Sequence, residues 1–271
     1  MPALYIVATP IGNLEDISLR AIRILREVSL IAAEDTRRTR QLLKKYDIGT
    51  PVTSYHEHNK WTKLDYIMAR LEVEEIALVS DAGMPGIADP GHELVIAASQ
   101  RGTPVIPIPG ASIVITALAV SGLPTKKFIY LGYLPYKSGS RQRLMKSVAG
   151  DDSTIVVLET PHRLLAALND INISLGNRRV AVCRELTKIH EEVFRGRILQ
   201  AIGHFTEPRG EFTLVIEGQL EKDKPKLTKG VQKQLRDMRR SGSSAKEAVA
   251  SMSESTGLSK KELYKAWLEL V

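Results

Sequence analysis

One cysteine, Cys183, is all the thiol that this 271-residue sequence holds. It lies inside the apolar run Val180 to Cys183. A lone thiol excludes an intrachain disulfide and leaves no thiolate cluster for zinc or iron–sulfur, which points to the reducing cytosol. Uninterrupted apolar length is missing too. Val105 to Leu123 comes nearest to a membrane segment, but Pro107, Pro109 and Gly110 break it, and a lipid-exposed break would leave backbone groups unsatisfied. It reads as a buried strand, a loop and a core helix, and no membrane partner is expected. Leu4 to Ala8 is too short for a signal-peptide core and runs straight into Pro10. No internal repeat or low-complexity tract is present. Neither G-x-G-x-x-G nor G-x-x-x-x-G-K-S/T occurs, which excludes the usual nicotinamide or class-one methyltransferase site and the P-loop. His56-Glu57-His58 would put two imidazoles on one strand face with no third ligand nearby in sequence, so no metal is expected.

What is present is led by Ser80 to Gly91, SDAGMPGIADPG, directly after the apolar run Ile76 to Val79. Three glycines and two prolines in twelve residues impose a tight, backbone-exposing loop before any helix can start. Loops at the carboxyl ends of parallel strands are where open α/β sheets bind ligands. Two more strand-then-loop elements accompany it: Leu4 to Ala8 before Thr9-Pro10-Ile11-Gly12-Asn13, and Val105 to Ile108 before Pro109-Gly110-Ala111-Ser112. Together they predict one composite small-molecule site.

The apolar fraction of 43% is that of a globular protein with a substantial core. Residues 1 to about 122 alternate β-branched apolar runs with amphipathic stretches, the pattern of a mostly parallel sheet covered by helices. Strands are expected at Leu4 to Ala8, Leu30 to Ala33, Ile76 to Ser80 and Val105 to Ile108. Gly122-Leu123-Pro124-Thr125 breaks the pattern, and a second α/β segment follows, with strands at Phe128 to Leu131, Thr154 to Leu158, Val180 to Cys183 and Phe212 to Ile216. The division expected is 1–122, 123–219 and 220–271, the last opening with a charged tether at Glu221 to Lys226.

The net charge of +7 favours a polyanionic partner. Residues 221–271 hold twelve Lys/Arg against seven Asp/Glu, so most of the excess lies there. Ser244-Ala-Lys-Glu247 and Ser259-Lys-Lys-Glu262 are capping boxes, in which a serine hydroxyl and a glutamate satisfy the free amides of a helix start. With Thr228 to Arg240 they predict three short helices, and Gly257 places a tight turn between the last two. The layout is compatible with helix-turn-helix binding of nucleic acid and equally with a small bundle making dimer contacts.

Other charged motifs follow apolar strands. Glu34-Asp35 precedes the basic run Arg37 to Arg40, and its carboxylates could cap a helix, hold a ribose hydroxyl or accept a proton. Glu159-Thr160-Pro161-His162-Arg163 and Arg184-Glu185-Leu186-Thr187-Lys188 would form a polar floor if they face the Asp81 loop across a cleft, and ordinary surface turns otherwise. Tyr133 and Tyr136 stand beside Lys137, Arg141 and Arg143, a combination suited to single-stranded RNA or to a mobile lid.

In order, YIVATPIGNLEDIS, IAAEDTR, SYHEHN, LVSDAGMPGIADPG, PIPGAS, GYLP, ETPHRL, RELTKIHEE and GEFTLVIEG resemble the tetrapyrrole methylase superfamily, the class III S-adenosylmethionine-dependent methyltransferases. Within it the pattern is similar to the bacterial enzymes that methylate a cytidine 2′-hydroxyl in 16S ribosomal RNA. The likeness runs from Leu4 to Gly218; Met84 and Ala111 depart from the threonine and proline common in the pattern.

The resemblance implies two α/β domains with the cofactor S-adenosyl-L-methionine between them, a homodimer, a small helical C-terminal extension, and 16S rRNA or the small ribosomal subunit as partner. By motif position, Pro10, Ser80, Asp81, Ala82, Gly83, Ile87 and Ser112 would line the cofactor from the first domain. Glu159, Ala181, Phe212 and Thr213 would approach it from the second. Glu159 and Glu185 are the candidate bases, with Arg163 and Lys188 orienting an RNA phosphate or tuning those carboxylates. Methylation of a small acceptor such as a tetrapyrrole is the rival enzymatic reading, and a noncatalytic nucleic-acid-binding regulator the rival from another class.

Overall fold

The computed structural model describes residues 2–87, 89–219 and 227–269. In chain order the regular elements are β1 (Leu4–Val7), α1 (Leu19–Glu27), β2 (Leu30–Ala33), α2 (Thr36–Lys45), β3 (Val52–Ser54), α3 (Lys60–Arg70), β4 (Ile76–Val79), α4 (His92–Gln100), β5 (Val105–Ile108) and α5 (Ile113–Ser121). There follow β6 (Phe128–Tyr133), α6 (Ser138–Ser147), β7 (Thr154–Glu159), α7 (Leu164–Leu175), β8 (Arg179–Arg184), β9 (Glu192–Arg197), α8 (Ile198–His204) and β10 (Phe212–Ile216). Last come α9 (Lys229–Arg240), α10 (Ala245–Thr256) and α11 (Lys260–Glu269).

The first sheet has strand order β3-β2-β4-β1-β5, every described pairing parallel. Its strands β1, β2 and β4 are apolar without alternation because both faces are covered. Val7, Ile31, Ala33, Ala77 and Val79 pack beneath Ala21, Ile24 and Leu25 of α1 and Leu42 and Leu43 of α2. Leu4, Ile6, Leu30, Ala32, Ile76 and Leu78 face the other way, onto Ile67 and Met68 of α3 and Leu94 and Ala98 of α4. Strand β3 was not among the expected strands: it is three residues long and half-buried, too short for periodicity to show.

The second sheet, β6-β7-β10-β8-β9, is mixed. β6 runs parallel to β7, whereas β10 is antiparallel to both β7 and β8, and β9 antiparallel to β8. β9, Glu-Val-Phe-Arg-Gly-Arg, is also absent from the expected strands, because an edge strand carries polar groups where a central one carries aliphatics. One face packs on α6, α7 and α8 through Met145, Leu164, Leu168, Ile171 and Ile198. The other face, with Val156, Ala181, Cys183 and Val215, is covered by Val114, Ala117 and Leu118 of α5. Helix α5 therefore follows the first sheet in sequence and packs on the second, and residues Met1–Gln219 form one compact unit.

The second compact unit is Leu220–Val271. Its three described helices enclose Leu235, Val249, Met252, Leu263 and Trp267. Thr228 caps α9, and Ser244 with Glu247 closes the capping box of α10. Ser259 and Glu262 exchange the same bonds ahead of α11, at 3.3 and 3.2 Å. Gly257 ends α10 with a left-handed φ of 70°. The expected tether, Glu221 to Lys226, lies outside the described residues.

Candidate functional site

All described strands of the first sheet run the same way, so the loops after β1, β2, β4 and β5 gather at one edge. Two of them are tied together by backbone: Thr9 N–H donates to Gly83 C=O at 2.8 Å and Gly83 N–H to Thr9 C=O at 3.0 Å. Gly83 takes a φ of +78°, which a side chain disfavours. A third loop joins through carboxylates. The Asp35 N–H donates to Asp81 Oδ1 at 2.9 Å, and the Asp81 N–H donates to Glu34 Oε2 at 3.2 Å. Arg38 on α2 pairs with Asp81 at 3.4 Å.

The second sheet meets this edge with one rung. In register, Thr213 of β10 lies opposite Leu158 of β7 on one side and Cys183 of β8 on the other. All three line a cavity of about 390 Å³ that also takes Asp81, Ala82, Gly83, Ile87, Ser112 and Phe212. Side-chain alternation explains what lies off its surface. Glu159 is one residue beyond Leu158 and faces the opposite side of the sheet, where it is 1% exposed. Ala181 is two residues before Cys183, on the same face but buried under α5. Arg163, four residues past the end of β7, also stands off the cavity. Pro10 and Ser80 line an adjoining hollow of about 300 Å³ that shares Asp81, Ala82, Arg38 and Lys188 with the main one. Ser80 is buried there, with its hydroxyl turned to the Ala82 carbonyl at 3.3 Å.

The loop after β8 closes one wall. Glu185 and Thr187 both have positive φ, 49° and 67°, unusual for residues with side chains. The turn is held by Glu185 Oε1, which accepts from the Glu211 N–H at 2.8 Å and from Lys188 Nζ at 2.9 Å. Burial opposes ionisation of Glu185, but these two donors outweigh it and hold its carboxyl below the usual range. Lys188 bridges Glu185 and Glu211, each at 2.9 Å. Burial works against its charge too, but the two carboxylates prevail and raise its pKa.

Several cavity groups were not among the residues nominated from sequence, Asp89, Tyr130, Cys183 and Glu211, while Glu34, Arg38 and Tyr133 were weighed there only as parts of an acidic pair, a basic run and an aromatic–basic loop. Asp89 lay inside the glycine-rich loop, and its signal was that position. Burial, with the Glu34 charge adding to it, raises Asp89 to about 6, against a lowering bond from Ser80. Glu34 is raised as well, chiefly by burial. The cavity thus presents five carboxylates, Glu34, Asp81, Asp89, Glu185 and Glu211, against two cations, Arg38 and Lys188, beside apolar walls from Ile11, Met84 and Val114. Such a surface suits a ligand with an apolar body and a net positive charge.

The Tetrapyrrole (Corrin/Porphyrin) Methylases family matches residues 3–201. The chain belongs to the tetrapyrrole methylase family. A relative from Synechocystis sp., named ribosomal RNA small subunit methyltransferase I, is 47% identical, covering 100% of this chain and 99% of its own length. A relative of the same name from Halalkalibacterium halodurans is 51% identical over 82% of this chain and 78% of its own length. Among solved structures, the crystal structure of diphthine synthase superposes with a TM-score of 0.65 at 15% identity, covering 79% of this chain and 90% of that one, which shows the shared fold. In this tetrapyrrole methylase the pair of sheets is the fold shared with that structure, carried here with a separate helical unit after Gln219. Among the described residues no helix is long and apolar enough to cross a membrane, and no group of three His, Cys, Asp or Glu is arranged to hold a metal ion.

Proposed function

We propose that this chain is an S-adenosyl-L-methionine-dependent methyltransferase that methylates the ribose 2′-hydroxyl of a cytidine in 16S rRNA of the small ribosomal subunit. The observation that carries the reading is the full-length 47% identity to a relative named for ribosomal RNA small subunit methylation. The cavity fits the cofactor chemically: its excess of carboxylates suits a sulfonium, and its apolar walls suit an adenosine.

Asp81, Ala82, Gly83, Ile87 and Ser112 would hold the cofactor from the first sheet's loops, with Pro10 and Ser80 shaping the adjoining wall. Phe212 and Thr213, joined by Cys183, would hold it from the second sheet. Bound S-adenosylmethionine supplies an already activated methyl group. The protein's task is then positional: to hold the hydroxyl oxygen in line with the methyl carbon and sulfur and to exclude water. Glu185, kept ionised by its donors, is positioned at the cavity wall to accept the hydroxyl proton, and Lys188 fixes that carboxylate. A cytoplasmic location and a homodimer are part of the same reading.

Transfer of labelled methyl from S-adenosylmethionine to purified small subunits lacking the modification tests it, followed by nuclease mapping. Label on a cytidine ribose is the expected result. Cofactor binding with no label in RNA would overturn the reading in favour of a small acceptor.

A further inference from the structure

Two arginines that do not line the cavity converge on a single loop, Leu134 to Tyr136, at the end of β6. Arg141, 4% exposed, pairs with the buried Asp170, its Nε donating to Oδ2 at 2.7 Å. Its Nη1 reaches onward to the carbonyls of Pro135 and Tyr136, each at 3.2 Å. From the other side Arg163 donates through Nη2 to the Leu134 carbonyl and to that of Pro135 at 3.2 Å. Behind Arg163 stands buried Glu159, whose Oε2 faces Nη2 at 3.3 Å without hydrogen-bond geometry.

Buried ion pairs are a poor means of stabilising a fold, because desolvation of both charges offsets their attraction. They are an effective means of holding three carbonyls in one arrangement. The loop so held displays aromatic surface: Tyr133 is 56% exposed and Tyr136 83%. The Arg163 guanidinium lies 5.7 Å from the centroid of the Tyr136 ring and backs it. Exposed Lys137 and Arg143 stand on the same stretch. Tyr133 itself lines the cavity, so the displayed rings begin at its mouth.

We propose that Tyr136 is a stacking shelf for a nucleobase of the acceptor strand, with Lys137 and Arg143 meeting the flanking phosphates. The proposal rests on the RNA-methylation reading above and adds to it a base subsite outside the cofactor cavity. An aromatic ring stacks on any base through its π face, and nearby cations complement the backbone. Because the loop is already ordered, little conformational entropy is lost when the base docks. Collinear methyl transfer demands a fixed ribose, and a stacked base beside it supplies that restraint. Glu159 and Arg163 become positioning residues: they act through the loop rather than on the reacting atoms.

The test compares wild type, Tyr136→Ala and Tyr136→Phe in methyl transfer to small subunits lacking the modification, alongside cofactor affinity and melting temperature. Tyr136→Ala is expected to raise the KM for the subunit roughly tenfold, within the range of lost base stacking, while cofactor affinity and melting temperature hold. Tyr136→Phe keeps the ring and is expected to recover most of that loss. A wild-type KM in Tyr136→Ala overturns the shelf, as does a Phe variant impaired as much as the Ala variant, or a KM change matched by a fall in melting temperature. Wild-type protein that labels no RNA overturns the methylation reading and the shelf together, whereas wild-type labelling with an unaffected Ala variant overturns the shelf alone.

Discussion

Gly12 and Lys188 touch across the two sheets so closely that a β-carbon on Gly12 would stand 2.6 Å from the lysine Cγ. The same β-carbon would lie 2.6 Å from Thr187 Oγ1 and 2.9 Å from the Leu186 carbonyl oxygen. Nearby, the Asn13 N–H donates to Thr187 Oγ1 at 3.0 Å. The loop after β1 and the loop after β8 are thus one contact, and the lysine that braces Glu185 is seated on a glycine.

Gly12→Ala should therefore separate these loops. The flexible Lys188 stem can move aside, but the Leu186 carbonyl is backbone and cannot yield cheaply. A loss of about 1–3 kcal/mol is expected from the overpacking, together with weaker cofactor binding. Thermal unfolding and calorimetric titration with S-adenosylmethionine check both.

Asp81 ties the loop after β4 to the loop and helix after β2 by accepting the Asp35 N–H at 2.9 Å and pairing with Arg38 at 3.4 Å. Asp81→Ala removes the acceptor and leaves the Asp35 amide without that partner, a penalty of about 1–3 kcal/mol if water does not replace it. Cofactor affinity should fall roughly tenfold or more on the same scale. Titration calorimetry of the variant reads the affinity directly.

Asp89 makes the apoprotein pH-sensitive. Its folded pKa, raised to about 6, lies above the ordinary carboxylate value, so between the two the native state binds the extra proton. Stability from this group is present at low pH and is lost as pH rises through about 6. A cationic ligand favours the ionised form, so S-adenosylmethionine should bind more tightly as pH rises from about 5 to 7. Asp89→Asn should flatten both profiles, measured by unfolding and by calorimetry across that range.

Asp170 accepts from Ser138 at 2.8 Å, Gln142 at 2.7 Å and Arg141 Nε at 2.7 Å in the interior. Asp170→Ala strands the buried guanidinium and is expected to cost about 3–5 kcal/mol. Urea denaturation should show it as a lower midpoint. Burial opposes ionisation of Asp170, yet the three donors outweigh it and hold its pKa below the usual value. Its contribution in the wild type is therefore present above the unfolded carboxylate pKa and is lost as pH falls through the depressed folded one.

The helical unit carries most of the excess positive charge, twelve Lys/Arg against seven Asp/Glu over residues 221–271. Deleting those residues should leave cofactor affinity intact, because every cavity residue precedes them. Affinity for RNA or the small subunit should fall and become less dependent on salt. Filter binding at two salt concentrations, beside calorimetry with the cofactor, separates the two effects.

The sequence by itself determined eight of the ten described strands, the loops at their ends and the capped helices of the tail. Those features rest on local physics: apolar runs buried on both faces, glycine and proline in tight turns, and serine–glutamate pairs at helix starts. It also determined the family, through motifs spaced along the chain. Strands β3 and β9 escaped because one is only three residues long and the other mixes charged residues and a glycine with its apolar ones, whereas the edge strands β5 and β6 keep readable apolar runs. Only the tertiary structure decided which side of each strand meets the cavity. Glu159 ends a buried strand, yet the pleat turns it away and presents Leu158 instead; Ala181 gives place to Cys183 by two residues of depth. Glu211 and Tyr133 come together with Asp81 only when the sheets meet, and no spacing along the chain encodes a meeting between elements so far apart. The pairing of Arg141 and Arg163 on one loop is of the same kind: each is an ordinary charged residue in sequence, and their common target exists only in three dimensions.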